Sequence, residues 1–196
     1  MSAVVMPPLP PATVPLPALV TADEFLRLHG DESGVELVNG RTVRLSMPGA
    51  QHGEVCVNAA VILHAYVKRN KLGRVMGNDT FVVTRTNPAA VRGADVLYIS
   101  YRTLPAGVPT PVGAITPPLE LVVEVRSPSD SPADLAAKAA EYLAAGVMVV
   151  LLLDPETDTA TVCRRNKPDQ PFGPADTLTL PDVLPGFAVA VAEFFA

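Results

Sequence analysis

Short apolar runs, broken by turn residues, dominate the chain, with two longer stretches at helical spacing. Thr21-x-x-Glu24 has the form of a capping box and predicts a helix over 21–28. Two short apolar segments, 35–38 and 42–45, flank Asn39-Gly40, the pair favoured in hairpin turns because both residues must adopt positive φ. From His52 to about Lys71 apolar residues recur at Val55, Ala59, Ile62, Leu63, Tyr66 and Val67, which predicts a helix capped by Gly73. Strands are expected at 74–77, 80–85 and 94–99, followed by a proline-rich loop over 104–118. The segment 119–125 is rich in Val and Leu and stops at Ser127-Pro128. Ser131-Pro132-Ala133-Asp134 then gives an N-cap, a first-turn proline and an acid three residues past the cap. That helix should end at Gly146 and feed a buried strand over 147–153, with 159–164 as its hairpin partner and a short helix around 191–195. Helices interleaved with a mostly β centre predict an α/β or α+β sandwich.

Composition narrows the classes. The chain has 196 residues, 48% hydrophobic and only 18% charged, so a charge-driven disordered protein is excluded. The net charge of −5 argues against a broad electrostatic nucleic-acid binder, leaving local or metal-assisted contact as the expected mode. The longest apolar run, 147–153, is far short of the ~18 residues of a membrane span. No basic region precedes an apolar one near the start, and the two cysteines, Cys56 and Cys163, suggest no disulfide framework or metal spacing; a cytoplasmic protein is expected. Six of the 21 prolines fall within 1–20, which reads as an extended leader before a single domain over 21–196.

Chemistry concentrates on four ionisable residues set in apolar sequence: Glu36, Asp95, Glu124 and Lys138. Strand alternation puts Glu120, Val122, Glu124 and Arg126 on one face, so Glu124 projects from within a core strand. Carboxylates are seldom buried unless paired or bound to metal. Two unit charges ~4 Å apart repel by about 4 kcal/mol at an effective dielectric near 20, a cost that a divalent cation removes. Oxygen ligands suit Mg²⁺ or Mn²⁺. Lys138 lies one helical turn from Leu135 and Tyr142, at the edge of the face that should meet the sheet, and its stem can reach the strand carboxylates. Residue by residue, a plainer account stays open: Glu124 paired with Arg126 or Lys138, Glu36 as a solvated hairpin residue, Asp95 as a turn cap after Gly93. His52 reads as a helix cap or surface residue rather than a ligand, and Tyr142 as core.

Taken in order, Val35-Glu36-Leu37-Val38-Asn39-Gly40, His52, Ala94-Asp95-Val96, Val123-Glu124-Val125-Arg126-Ser127-Pro128-Ser129-Asp130, Lys138 and Tyr142 resemble the Uma-type restriction endonuclease family of the PD-(D/E)XK nuclease superfamily. Ala145-Gly146-Val147, Leu153-Asp154-Pro155 and Leu184-Pro185-Gly186-Phe187 extend the resemblance over roughly 21–196. It implies a restriction-endonuclease-like α/β core, a mixed central sheet flanked by helices. It further implies Mg²⁺ or Mn²⁺ held by Asp95, Glu124 and the Val125 carbonyl, with Glu36 as the acid of the first segment. Lys138 would orient the attacking water or stabilise developing charge, the substrate would be DNA, and the assembly a homodimer. Two positions depart from the superfamily pattern: Ala94 stands where a proline would precede the aspartate, and Arg126 stands where the motif has lysine. Arginine cannot be tuned as a base. The competing function is therefore a nuclease-fold protein that no longer cuts and serves as a dimeric interaction module.

Overall fold

A computed structural model describes residues 19–196, so the expected leader lies, but for its last two residues, outside the described part of the chain. From Val20 the chain is engaged: its N–H donates to the Gly40 carbonyl at 2.8 Å. Helix α1 (Ala22–His29) carries the expected capping box on Thr21 and buries Phe25. Strands β1 (Val35–Val38) and β2 (Arg41–Arg44) pair across Asn39 and Gly40, whose φ values of 52° and 72° are those the turn requires. Helix α2 (Ala50–Arg69) follows, then β3 (Gly73–Thr86), β4 (Ala89–Ser100) and β5 (Leu119–Val125). Helix α3 (Pro132–Ala145) is boxed by Ser131 and Asp134 and ends at Gly146, φ 114°, as predicted. Strands β6 (Val147–Asp154), β7 (Thr159–Arg164), β8 (Gln170–Phe172), β9 (Thr177–Leu180) and β10 (Leu184–Ala190) complete the order before a 3₁₀ turn at Val191–Phe194.

The main sheet is eight-stranded, β2-β1-β4-β5-β6-β7-β8, with β3 along the other edge of β4. Only the β5–β6 pairing among its named strands is parallel, and α3 is the crossover that this geometry demands. Alternation along β5 divides the core between two layers. Leu121, Val123 and Val125 meet α2 through Val55, Ala59, Leu63 and Val67, and the β9–β10 hairpin closes that side. Val122 faces α3 with Ala139 and Tyr142, and Glu124 shares that parity. No helix among the described residues is long and apolar enough to cross a membrane.

Several elements differ from expectation. Gly73 is not a helix cap: α2 ends at Arg69, Asn70 caps it and Lys71 makes the reversal at φ 54°. Gly73 instead opens β3 where a Cβ would collide with the Ile99 carbonyl and the Ser100 Cα. The segments 74–77 and 80–85 form one long strand, interrupted by an irregularity at Asn78 and Asp79, both at positive φ. Similarly, β4 begins at Ala89 rather than near 94, because it pairs with β3 along its whole length. Finally, β8, β9 and β10 have no counterpart in the sequence reading, while the short helix expected around 191–195 is present as a 3₁₀ turn over Val191–Phe194.

Candidate active site

The C-terminal end of β5 and the first turns of α2 and α3 surround a cleft of about 360 Å³. Glu36, His52, Asp79, Arg92, Asp95, Glu124, Val125 and Lys138 line it, together with Ser46, Ser127 and Ser129 at the rim. All four residues singled out in the sequence therefore reach one cavity, although they come from β1, β4, β5 and α3.

Each has a defined set of partners. Glu36, buried on β1, accepts from Arg92 at 2.9 Å and from the Gly93 N–H at 3.1 Å, and its other contact is Lys138 Nζ at 3.1 Å. Asp95 accepts from the Val125 N–H at 2.7 Å, which ties β4 to the end of β5. Glu124 is buried: one oxygen takes Lys138 Nζ at 2.7 Å and the other the Tyr142 hydroxyl at 2.8 Å. Lys138 bridges Glu36 and Glu124 and also donates to the Gly93 carbonyl at 3.4 Å. Arg92 is divided between Glu36 and Glu141, the latter at 2.7 Å.

Charge is unbalanced here. Six carboxylates line the cleft, Glu36, Asp79, Asp95, Glu124, Asp130 and Asp134, against two cations, Arg92 and Lys138, and Arg92 is shared with Glu141. The consequences are visible in the titration of individual groups. Burial pushes Glu124 up to about 8, the charges of Asp95 and Glu36 add to that, and Lys138 opposes it. Burial alone would lower Lys138, but Glu124 and then Glu36 more than reverse this and hold it well above the ordinary lysine range. Lysine therefore remains the cation, and a proton taken up by the pair goes to Glu124. Burial and then Asp95 also raise Asp79. A site that disfavours the ionised form of its carboxylates in this way is one that an added cation would relieve.

Other residues enter that the sequence reading had missed or placed elsewhere. His52 is not a surface cap. Its side chain is largely buried, with Nε2 3.6 Å from Asp95 Oδ2 and Nδ1 3.4 Å from the Cys56 sulfur. Burial disfavours its charge, but Asp95 and the Val125 carbonyl outweigh that and raise its pKa. The signal was present: His52 and Cys56 stand at i and i+4, on one helix face. Asp79 owes its place to the β3 irregularity, marked in sequence only by Asn78-Asp79. Arg92 and Glu141 gave no signal, since their pairing joins β4 to α3. Tyr142 is core, as expected, yet its hydroxyl also holds Glu124.

Arg126, at the position of the motif lysine, does not line the cleft. It lies just past the end of β5 and pairs with Asp154 at 3.0 Å and Glu156 at 2.6 Å. Glu120 is likewise spent on structure, accepting from Ser100 N–H at 2.8 Å and the Thr103 hydroxyl at 2.7 Å.

A family profile described as "Uma2: Putative restriction endonuclease" matches residues 22–192. Among solved structures, the fold is similar to that of a protein from Anabaena variabilis ATCC 29413 described as "a putative nuclease belonging to DUF820". The TM-score is 0.78 at 18% identity, covering 90% of this chain and 97% of that one. At that identity the likeness is one of fold. No curated protein matches the chain.

Proposed function

The chain belongs to the Uma2 restriction endonuclease family, and on that footing we propose that it is a divalent-cation-dependent endonuclease that hydrolyses DNA phosphodiester bonds. The observation that carries the reading is the convergence of Glu36, Asp95, Glu124 and Lys138 on one cleft with a surplus of carboxylates.

Asp95 and Glu124 both line the cleft, and with the Val125 carbonyl, the third donor that the resemblance implies, they would make an all-oxygen set suited to Mg²⁺ or Mn²⁺. The chemistry such an ion supplies when bound is polarisation of a phosphate oxygen and acidification of water. The chain's own residues do the rest. Lys138 presents a fixed positive charge to the cleft, able to hydrogen-bond the attacking water or the charge that develops on phosphorus-bound oxygen. Glu36 fixes that ammonium from one side, and the Arg92–Glu141 pair anchors Glu36 from the other. Tyr142 holds Glu124 in a single orientation. Lys138 takes the place of the motif lysine, because Arg126 is turned to Asp154 and Glu156.

Supercoiled plasmid incubated with the protein and Mg²⁺ or Mn²⁺ tests this. Nicked or linear product is expected with either ion and none in chelator, and Asp95→Asn should abolish cleavage. Cleavage that persists unchanged in Asp95→Asn would refute the assigned site.

A further inference from the structure

His52, Cys56 and Asp95 each offer one ligand atom, and the three atoms lie within 4.8 Å of one another. His52 and Cys56 are one turn apart on α2, and Asp95 reaches them from β4. Imidazole Nδ1 is 3.4 Å from the sulfur and Nε2 is 3.6 Å from the carboxylate oxygen, so the two contacts use different ring nitrogens, of which an ion would take one. In a tetrahedral zinc sphere, with metal–nitrogen bonds of about 2.0 Å and metal–sulfur bonds of about 2.3 Å, neighbouring ligand atoms are themselves about 3.3–3.7 Å apart. With one ligand atom from each residue the three lie within 4.8 Å, so closing on an ion needs a shift of no more than about 1.5 Å, within reach of side-chain rotation.

We propose that His52, Cys56 and Asp95 form a site for a zinc-class divalent cation, distinct from the all-oxygen pair but sharing Asp95 with it. Donor chemistry separates the two. Thiolate and imidazole favour Zn²⁺ or Co²⁺ over Mg²⁺, whereas Asp95, Glu124 and a carbonyl favour the harder ions. Three protein ligands leave the fourth position open toward the cleft, which His52 and Asp95 line. Burial, and then the charge of Asp95, push the Cys56 thiol well above its ordinary range. Binding exchanges its proton for the cation, and one proton leaves to solvent. Because one carboxylate serves both sites, a zinc-class ion on the sulfur side weakens the hold on a hard cation. The binding itself is independent of any nuclease activity; the competition rests on Asp95 being a ligand in the proposed active site.

Titration of the full chain with Co²⁺ reads the sulfur directly through its near-ultraviolet charge-transfer band. The band should appear with one equivalent per chain and vanish in Cys56→Ser, while Cys163→Ser, the control for the other thiol, retains it. His52→Ala and Asp95→Asn should each weaken Co²⁺ binding at least tenfold. Absence of the band in the wild-type protein, or its persistence in Cys56→Ser, overturns the proposal; a plain thiol–imidazole hydrogen bond would give that result. Sharing is read by calorimetric Mn²⁺ titration with and without one equivalent of Zn²⁺. At least tenfold weaker Mn²⁺ binding is expected with zinc, and unchanged affinity overturns the shared carboxylate. A wild-type protein that shows the cobalt band but binds no Mn²⁺ would instead count against the proposed active site and leave the sulfur site standing.

Discussion

At the scale of single residues, Lys138 matters most, because two buried carboxylates depend on it. Lys138→Met leaves Glu36 and Glu124 without their shared ammonium. Removing one member of a buried pair typically costs about 3–5 kcal/mol, so the metal-free protein should melt well below wild type in a thermal scan. Plasmid cleavage should fall by about 100-fold or more, since the one cation that reaches Glu124 among the described residues is gone. Tyr142→Phe is milder, removing one hydroxyl at 2.8 Å from Glu124, with an expected loss of about 1 kcal/mol. Glu124 also sets a pH dependence. Its folded-state value of about 8 lies above the ordinary 4.5, so the folded protein holds a proton that the unfolded chain releases. Its contribution to stability is complete below about 4.5 and is lost as pH rises through about 8. Glu124→Gln should flatten that slope, and Mn²⁺ should raise the melting temperature of wild type more at pH 8 than at pH 5.5. Equal stabilisation at both values would contradict the account.

Elements decide how these residues meet. Glu36, Asp95, Glu124 and Lys138 were legible because each interrupts apolar sequence on a periodic segment, and period alone says which face of β5 and α3 they occupy. Their partners were not legible, because Arg92 with Glu141 and Asp79 beside Asp95 are brought together by strand pairing between distant segments. The hairpin β1–β2 and both capping boxes were readable from local chemistry, which fixes turns within four residues. The β3 strand was misdivided because its irregularity at Asn78 and Asp79 looks like a turn in sequence. Gly73 was misread for a related reason: a glycine after a helix resembles a cap, whereas here a second backbone leaves no room for Cβ. Gly73→Ala should therefore destabilise the start of β3 with no direct effect on the cleft. At roughly 1–3 kcal/mol for overpacking, and about 2–4 °C per kcal/mol for a chain of this size, a fall of several degrees is expected. A melting temperature within a degree of wild type would show that the β3–β4 approach is looser than described.

For the whole molecule, the question is how a chain of net charge −5 engages a polyanion. The cleft itself adds acids, so the account requires the cation for DNA binding as well as for cleavage. Duplex DNA should bind at least tenfold more tightly in Ca²⁺, used as a substitute for Mg²⁺, than in chelator, by fluorescence anisotropy at fixed ionic strength. Affinity independent of the divalent ion would point to a separate basic surface. The architecture supports such a site by anchoring each contributor on a regular element: α2 on one face of the sheet, α3 on the other, with β4 and β5 between them. The claim on which the proposed nuclease activity rests is that Asp95 and Glu124 hold one hard cation between them. Anomalous diffraction from a crystal soaked in Mn²⁺ tests it most directly. The account predicts a single strong peak bonded to oxygens of both Asp95 and Glu124, with Lys138 beside it; a cleft without a peak, or a peak that touches neither carboxylate, would contradict it.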